Sequence, residues 1–170
     1  MSKSLIIYFS RAGNNYSDTG IRYIEKGNTE IIAEYIRELT GADIFKVNPL
    51  NEYPEDYMQC TEVVKEELNN NERPLLKEYL EDVSEYGMIY LGYPIWWSTL
   101  PMPMWTQLEK LDFSGKTIKP FVTHEGSGMG KSAKDLANLC PKAKIDKGLS
   151  IQGSFVLESK SKVENWVKKQ

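Results

Sequence analysis

Two uninterrupted apolar runs constrain this chain more than any other feature. Leu5 to Phe9 and Met88 to Gly92 are only five residues each. Continuous apolar character over so short a span is expected of a strand covered on both faces, as in a parallel sheet between two helical layers.

The rest of the chain supplies those layers. Ile31, Ile32, Tyr35, Ile36 and Leu39 recur at helical spacing in a helix from Thr29 to Thr40, which Gly41 stops. Ile44 to Val47 reads as the second strand. Pro54 precedes a helical stretch to about Leu68, with Tyr57, Thr61, Val64 and Leu68 on one stripe. After the polar break Asn69-Asn70-Asn71, a weaker helix is expected from Leu75 to Leu80. Met88 to Gly92 is the third strand, and Pro101 and Pro103 open a helix through Leu108. Ile118 to Thr123 is the fourth strand, tolerating Pro120 near its start. A helix from Lys131 to Leu139 follows, then a last strand from Leu149 to Val156, interrupted by Gly153. Ser161 to Lys169 closes the pattern as a helix, with Val163, Trp166 and Val167 on its apolar side. Five strands alternating with helices predict an α/β fold: a doubly wound five-stranded parallel sheet with helices on both faces. No repeat or linker divides residues 1–170, so a single domain is expected.

Composition narrows the function classes. Hydrophobic residues make up 41%, enough for a core. No apolar run approaches the ~20 residues of a membrane span. The start, Met1 to Phe9, reads as a buried strand and not as a signal peptide, and no membrane partner is expected. Cys60, Cys140 and the one histidine show no disulfide or metal spacing, so no metal is expected and a reduced, cytoplasmic setting is. A net charge of -3 argues against nucleic acid as a partner. The charge is uneven: eleven acids against three bases from Glu52 to Glu85, and seven lysines against three acids from Gly115 to Ser150. Solvated helix faces explain this, as would an acidic docking face for a basic redox partner.

In an open parallel sheet, ligands bind beyond the carboxyl ends of the strands. Three of those junctions are unusual. After the first strand come Ser10-Arg11-Ala12-Gly13-Asn14, a polar segment, and then Gly27-Asn28-Thr29 at a helix start. Hydroxyls and free N–H groups at a helix N-terminus make an anion site; plain capping by Asn28 or Thr29 is the alternative. After the third strand, Pro94-Ile95-Trp96-Trp97 puts adjacent tryptophans at the crevice. Adjacent side chains on extended chain point opposite ways, so one is exposed unless a ligand, a helix or another subunit covers it. After the fourth strand, Glu125-Gly126-Ser127-Gly128 leads into Met129-Gly130-Lys131-Ser132. A nucleotide P-loop would need glycine where Glu125 stands, so this turn suits presentation of backbone N–H groups to an electron-rich ring edge.

Together the junctions resemble the flavodoxin-like family, and most closely its subgroup with an interrupted phosphate loop and a Pro-Ile-Trp-Trp flavin loop. The resemblance rests on Ser10 to Gly13, Gly27 to Thr29, Pro94 to Trp97 and Gly126 to Gly128. It implies a non-covalent FMN. Ser10, Asn28 and Thr29 would hold the phosphate, with Arg11 a weaker candidate. Pro94, Ile95, Trp96 and Trp97 would line the isoalloxazine, and Glu125, Gly126, Ser127 and Gly128 would meet its pyrimidine edge. Residues 14–26 interrupt the phosphate loop, and Ala12 to Lys26 are expected to form a surface flap.

Three activities compete: a one-electron shuttle between redox partner proteins, an FMN-dependent NAD(P)H oxidoreductase acting on quinones or similar acceptors, and a flavin-free binding module. No catalytic residue is assigned. His124 is expected to be solvated, Cys60 to pack, and Trp105, Trp166 and the pair Met102 and Met104 to serve packing.

Overall fold

Strands of one sheet alternate with helices along most of the chain, with a hairpin inserted after the first strand. The computed structural model describes residues 3–169, so Met1, Ser2 and Gln170 lie outside the described residues. The elements are β1 (Lys3–Tyr8), β2 (Gly13–Ser17), β3 (Gly20–Ile24), α1 (Asn28–Thr40), β4 (Asp43–Lys46), α2 (Tyr57–Asn69) and β5 (Tyr86–Pro94). They continue with α3 (Met102–Leu108), β6 (Thr117–His124), α4 (Ser132–Leu139), β7 (Lys144–Ile145), β8 (Leu149–Gln152) and α5 (Lys160–Lys168).

The main sheet runs β4-β1-β5-β6, and its fifth position is shared: β7 pairs the start of β6, and β8 pairs the end. Every pairing in it is parallel. Strand alternation splits the side chains of β1 between two cores. Leu5 and Ile7 join Leu91, Val122, Met104, Leu108 and Leu136 on the face covered by α3 and α4. Ile6 and Tyr8 join Ile32, Ile36, Val163 and Trp166 on the face covered by α1 and α5. Ile6 and Ile7 are both fully buried, which is why this strand tolerates no polar residue in its middle. Each contributes roughly 1.5–3 kcal/mol by leaving water.

Lys119 on β6 is buried, and its ammonium donates to the Trp166 carbonyl at 2.8 Å and the Lys169 carbonyl at 2.9 Å. It thereby caps the last turn of α5, where a cation is favoured.

Three expectations change. No helix forms at Leu75 to Leu80. There the chain pairs with the loop after β4, through Leu50 N–H to the Leu75 carbonyl and Lys77 N–H to the Asn48 carbonyl. The Gln107 amide holds Leu80 by two bonds, to its N–H and its carbonyl, so tertiary pairing overrides helix propensity. The last strand ends at Gln152, because the Ser154 N–H turns to the Glu125 carboxylate and Gly153–Glu158 winds into a 3-10 turn. The 12–26 segment contains a regular antiparallel hairpin, β2 with β3, with Gly13 and Gly20 at positive φ.

Candidate functional site

β1, β5 and β6 end on the same side of the sheet, and a crevice opens there. Ser10, Pro94 to Trp96 and Thr123 to Glu125 line it, with Asn28 and Thr29 from α1 and Asn15 and Tyr16 from the hairpin. Its volume is about 130 Å³. Through Arg11, Asn15, Tyr57, Ile95 and Trp96 it continues into a slot of about 380 Å³ between the first turns of α2 and the loop after β5.

At the first end of the crevice the loop after β1 meets the start of α1. The α1 N-cap is Gly27, which has no side-chain cap, so Asn28 and Thr29 do not cap in the ordinary way. A Cβ on Gly27 would lie 2.1 Å from Ser10 Oγ and 2.9 Å from the Arg11 N and O. Only glycine lets the two segments approach so closely. Ser10 Oγ accepts the Glu30 N–H at 3.1 Å, which leaves its own proton to donate. The Thr29 hydroxyl faces the interior and pairs with the Thr123 hydroxyl at 2.8 Å. The Arg11 guanidinium bonds the carbonyls of Asn14, Pro54 and Glu55. It staples the loop after β4 to the loop after β1, though its side chain still borders the crevice.

The slot is aromatic and apolar. Trp96 packs edge-on against Phe9 at 5.0 Å and Tyr53 at 5.1 Å, which fixes its ring. Trp97 lines the same slot from beyond the end of the strand. It is 48% exposed, sits at positive φ, and donates its indole N–H to the Thr61 carbonyl across the slot. Tyr57, Met58, Thr61 and Val64 of α2 form the facing wall.

The third junction is divided. Glu125 borders the crevice, and its carboxylate accepts the N–H and hydroxyl of Ser154 at 2.6 and 2.7 Å and the Gln152 amide at 3.1 Å. Gly126, Ser127 and Gly128 turn outward and line neither the crevice nor the slot. The Gly126 N–H goes to His124 Nδ1. Gly130 instead packs on Ser98, and the Lys131 N–H donates to the Ser98 carbonyl at 2.8 Å, joining the third loop to the second.

The hairpin roofs the crevice. Its Asp18 N–H donates to Ser154 Oγ at 2.9 Å on one side, and the Tyr16 ring lies 6.1 Å from the Tyr57 ring on the other.

A family model described as flavodoxin matches residues 21–170. The chain belongs to the flavodoxin family. A candidate flavoprotein from Bacteroides uniformis ATCC 8492 is 28% identical and superposes with a TM-score of 0.75, covering 99% of each chain. A second, from Bacteroides eggerthii DSM 20697, is 27% identical with a TM-score of 0.77, covering 98% of this chain and 96% of the other. The same fold appears at 18% identity and a TM-score of 0.67 in a flavoprotein from Lactobacillus acidophilus NCFM solved with FMN, over 93% and 98% of the two chains. No curated protein matches.

Within this family member the crevice brings together Ser10, Arg11, Asn28, Thr29, Pro94, Ile95, Trp96 and Glu125, with Trp97 in the adjoining slot. Asn15, Tyr16, Tyr57, Thr61 and His124 also line these cavities and were not anticipated as site residues. Tyr57 and Thr61 share a helical stripe that reads as core-facing, and only the position of α2 beside the slot gives them another role. The polar composition of 12–26 was the one available sign of Asn15.

Proposed function

We propose that this chain binds one FMN non-covalently in the crevice and slot and transfers electrons through it. The observation that carries the reading is the meeting of a helix start, whose cap residue Gly27 offers no side chain, and an aromatic slot at one continuous cavity. The groups present suit FMN. The Asn28 and Thr29 N–H groups and the Ser10 hydroxyl offer donors to a phosphate at the positive end of α1. Thr29 acts there through its backbone, while its side chain positions the turn against Thr123. Arg11 holds the loop beside the phosphate by its three carbonyl contacts. Ile95, Trp96 and Trp97 offer flat apolar surface to a ring system, with Tyr57 opposite. Pro94 and Glu125 border its path between the two ends. Gly126 to Gly128 act by turning the third loop and setting Glu125.

Bound flavin supplies reversible electron transfer; the protein tunes it. Trp96, immobilised by Phe9 and Tyr53, keeps water from one side of the slot. Exposed Trp97 and Met58 leave the slot's mouth accessible to a redox partner protein. Cys60 and Cys140 are both free and buried, which supports a reducing, cytoplasmic setting.

The test is anaerobic. The purified protein is expected to be yellow, to release FMN on denaturation, and to stay oxidised for minutes with NADH or NADPH alone. Stoichiometric FAD or a colourless protein that ignores added FMN would overturn the cofactor. Rapid bleaching by NAD(P)H would replace the shuttle with an FMN-dependent oxidoreductase acting on quinones or similar acceptors.

A further inference from the structure

The third junction sets an ionisable side chain, and not only backbone N–H groups, against the crevice. His124, the chain's single histidine, ends β6 half-buried and lines the crevice. Its Nδ1 accepts the Gly126 N–H at 2.9 Å. A neutral imidazole that accepts at Nδ1 carries its proton on Nε2. Nε2 has no hydrogen-bond partner among the described residues. The same bond takes the Gly126 N–H away from any ligand, and Gly126, at a φ of 123°, turns the following residues outward. An ionisable ring therefore stands where the glycine loop was expected to offer fixed donors.

We propose that His124 donates its Nε2–H to an electron-rich atom of the bound flavin and couples the charge of that flavin to pH. This rests on the FMN reading above. A backbone N–H offers a fixed dipole, whereas imidazole gains a full positive charge when it binds a proton. Reduction increases the electron density of the ring, which favours the imidazolium. By linkage, reducing the flavin raises the proton affinity of His124, and protonating His124 favours the reduced flavin. The proton comes from solvent, and no bond to carbon changes.

The groups around the ring set the range. Burial holds His124 below the usual histidine value, Glu125 beside it in the chain opposes that, and Lys162 on α5 adds to it. Without ligand the ring is thus biased toward its neutral form, and the coupling emerges on the acid side.

A single histidine makes the experiment direct. Two-bond 1H–15N spectra of the ring are recorded across pH for apoprotein, the FMN-bound oxidised protein and the dithionite-reduced protein. The neutral ring is expected as the Nε2–H tautomer, its proton resonance displaced when FMN binds, and gives way in acid to the imidazolium, whose Nδ1 releases the Gly126 N–H. The titration midpoint is expected to rise on reduction by roughly one pH unit, tenfold in proton affinity. His124→Gln keeps an N–H donor but does not titrate. It is expected to lose the extra acid-side rise in reduction potential. FMN bound with an unchanged His124 resonance and midpoint would overturn this proposal alone. Failure of wild type to bind FMN in equilibrium dialysis would overturn it together with the cofactor reading.

Discussion

Thr29 and Thr123 meet hydroxyl to hydroxyl at 2.8 Å, tying the first turn of α1 to the end of β6. Both residues border the crevice yet are almost wholly buried, so the pair holds two of its lips at a fixed separation. Ser10 is placed differently: it receives the Glu30 N–H and has a proton left for a ligand.

Single substitutions are therefore expected to separate the two threonine and serine roles. Ser10→Ala removes a donor to a charged acceptor, worth roughly 1.5–3 kcal/mol, or about 10- to 100-fold in Kd for FMN. Riboflavin, which lacks the phosphate, is expected to bind wild type and Ser10→Ala alike. Thr29→Val leaves the Thr123 hydroxyl without its partner and is expected to cost about 1–3 kcal/mol of stability. Its effect on FMN and on riboflavin should be equal. Parallel fluorescence titrations with both flavins, and urea unfolding, check this; a phosphate-selective loss in Thr29→Val would put its side chain on the ligand.

Gly27→Ala is expected to damage the site and the fold together. The new methyl would sit 2.1 Å from Ser10 Oγ and 2.9 Å from the Arg11 backbone. Ser10 can rotate, but the backbone cannot retreat without shifting β1 or α1. Overpacking of this kind costs about 1–3 kcal/mol. The urea midpoint should fall, and FMN affinity should fall with it. Gly41→Ala serves as the comparison: its φ of 70° strains the substitution, yet nothing lies within 4 Å of the added methyl. It should lose stability while keeping FMN affinity.

A half-buried carboxylate gives a pH signature. Glu67 accepts the Tyr53 hydroxyl at 2.6 Å, and Tyr53 packs on Trp96. Burial raises Glu67 above the ordinary glutamate value, the Tyr53 bond lowers it, and Glu72 raises it further. With its folded pKa above the unfolded one, Glu67 costs stability at pH values above both. That cost disappears as pH falls through the folded value toward the unfolded one. Glu67→Gln keeps an acceptor oxygen for Tyr53 and removes the charge. It is expected to be more stable than wild type at neutral pH, with the difference shrinking toward about pH 4. Urea midpoints at both pH values check this, and a gap that widens in acid would contradict it.

The layered sheet was legible because burial on two faces leaves a mark in sequence. Leu5 to Phe9 cannot alternate, since Ile6 and Ile7 enter opposite cores. The anion end was legible for a similar reason: Gly27 beside Asn28 and Thr29 marks a helix start that admits close approach. What side chains do within the site was less visible. Thr29 and Ser10 are both small hydroxyls, and only the three-dimensional meeting with Thr123 distinguishes them. Arg11 reads as a weaker phosphate candidate, and its bonds to the carbonyls of Pro54 and Glu55, more than forty positions away, leave no mark in the sequence. The Leu75 to Leu80 segment has apolar residues at helical spacing, yet Gln107 and the loop after β4 claim its backbone.

The hairpin is patterned inside out. Register places Asn15 opposite Arg22 on one face and Tyr16 opposite Ile21 on the other. Tyr16, Ile21 and Tyr23 are more than half exposed, while Asn15 lines the crevice. So Asn15 looks toward the crevice and Ile21 and Tyr23 toward solvent, while Tyr16, though half exposed, also reaches the crevice rim beside Tyr57. The Asp18 N–H to Ser154 Oγ bond secures the tip, and Ser154 in turn donates to Glu125. FMN beneath the roof would add contacts to Asn15 and Tyr16, so its binding is expected to slow opening. In limited proteolysis with trypsin, cleavage after Arg22 and Lys26 should slow when FMN is bound. Ser154→Ala removes the tip's acceptor, a bond worth about 0.5–1.5 kcal/mol, so cleavage of its apoprotein should quicken roughly two- to tenfold. FMN should still protect that variant, because the ligand's contacts lie on the crevice face and not at the tip. Equal cleavage with and without FMN, while FMN demonstrably remains bound, would mean that the hairpin does not close over the flavin. Its exposed face of Tyr16, Ile21 and Tyr23 would then be the better guide to what it contacts.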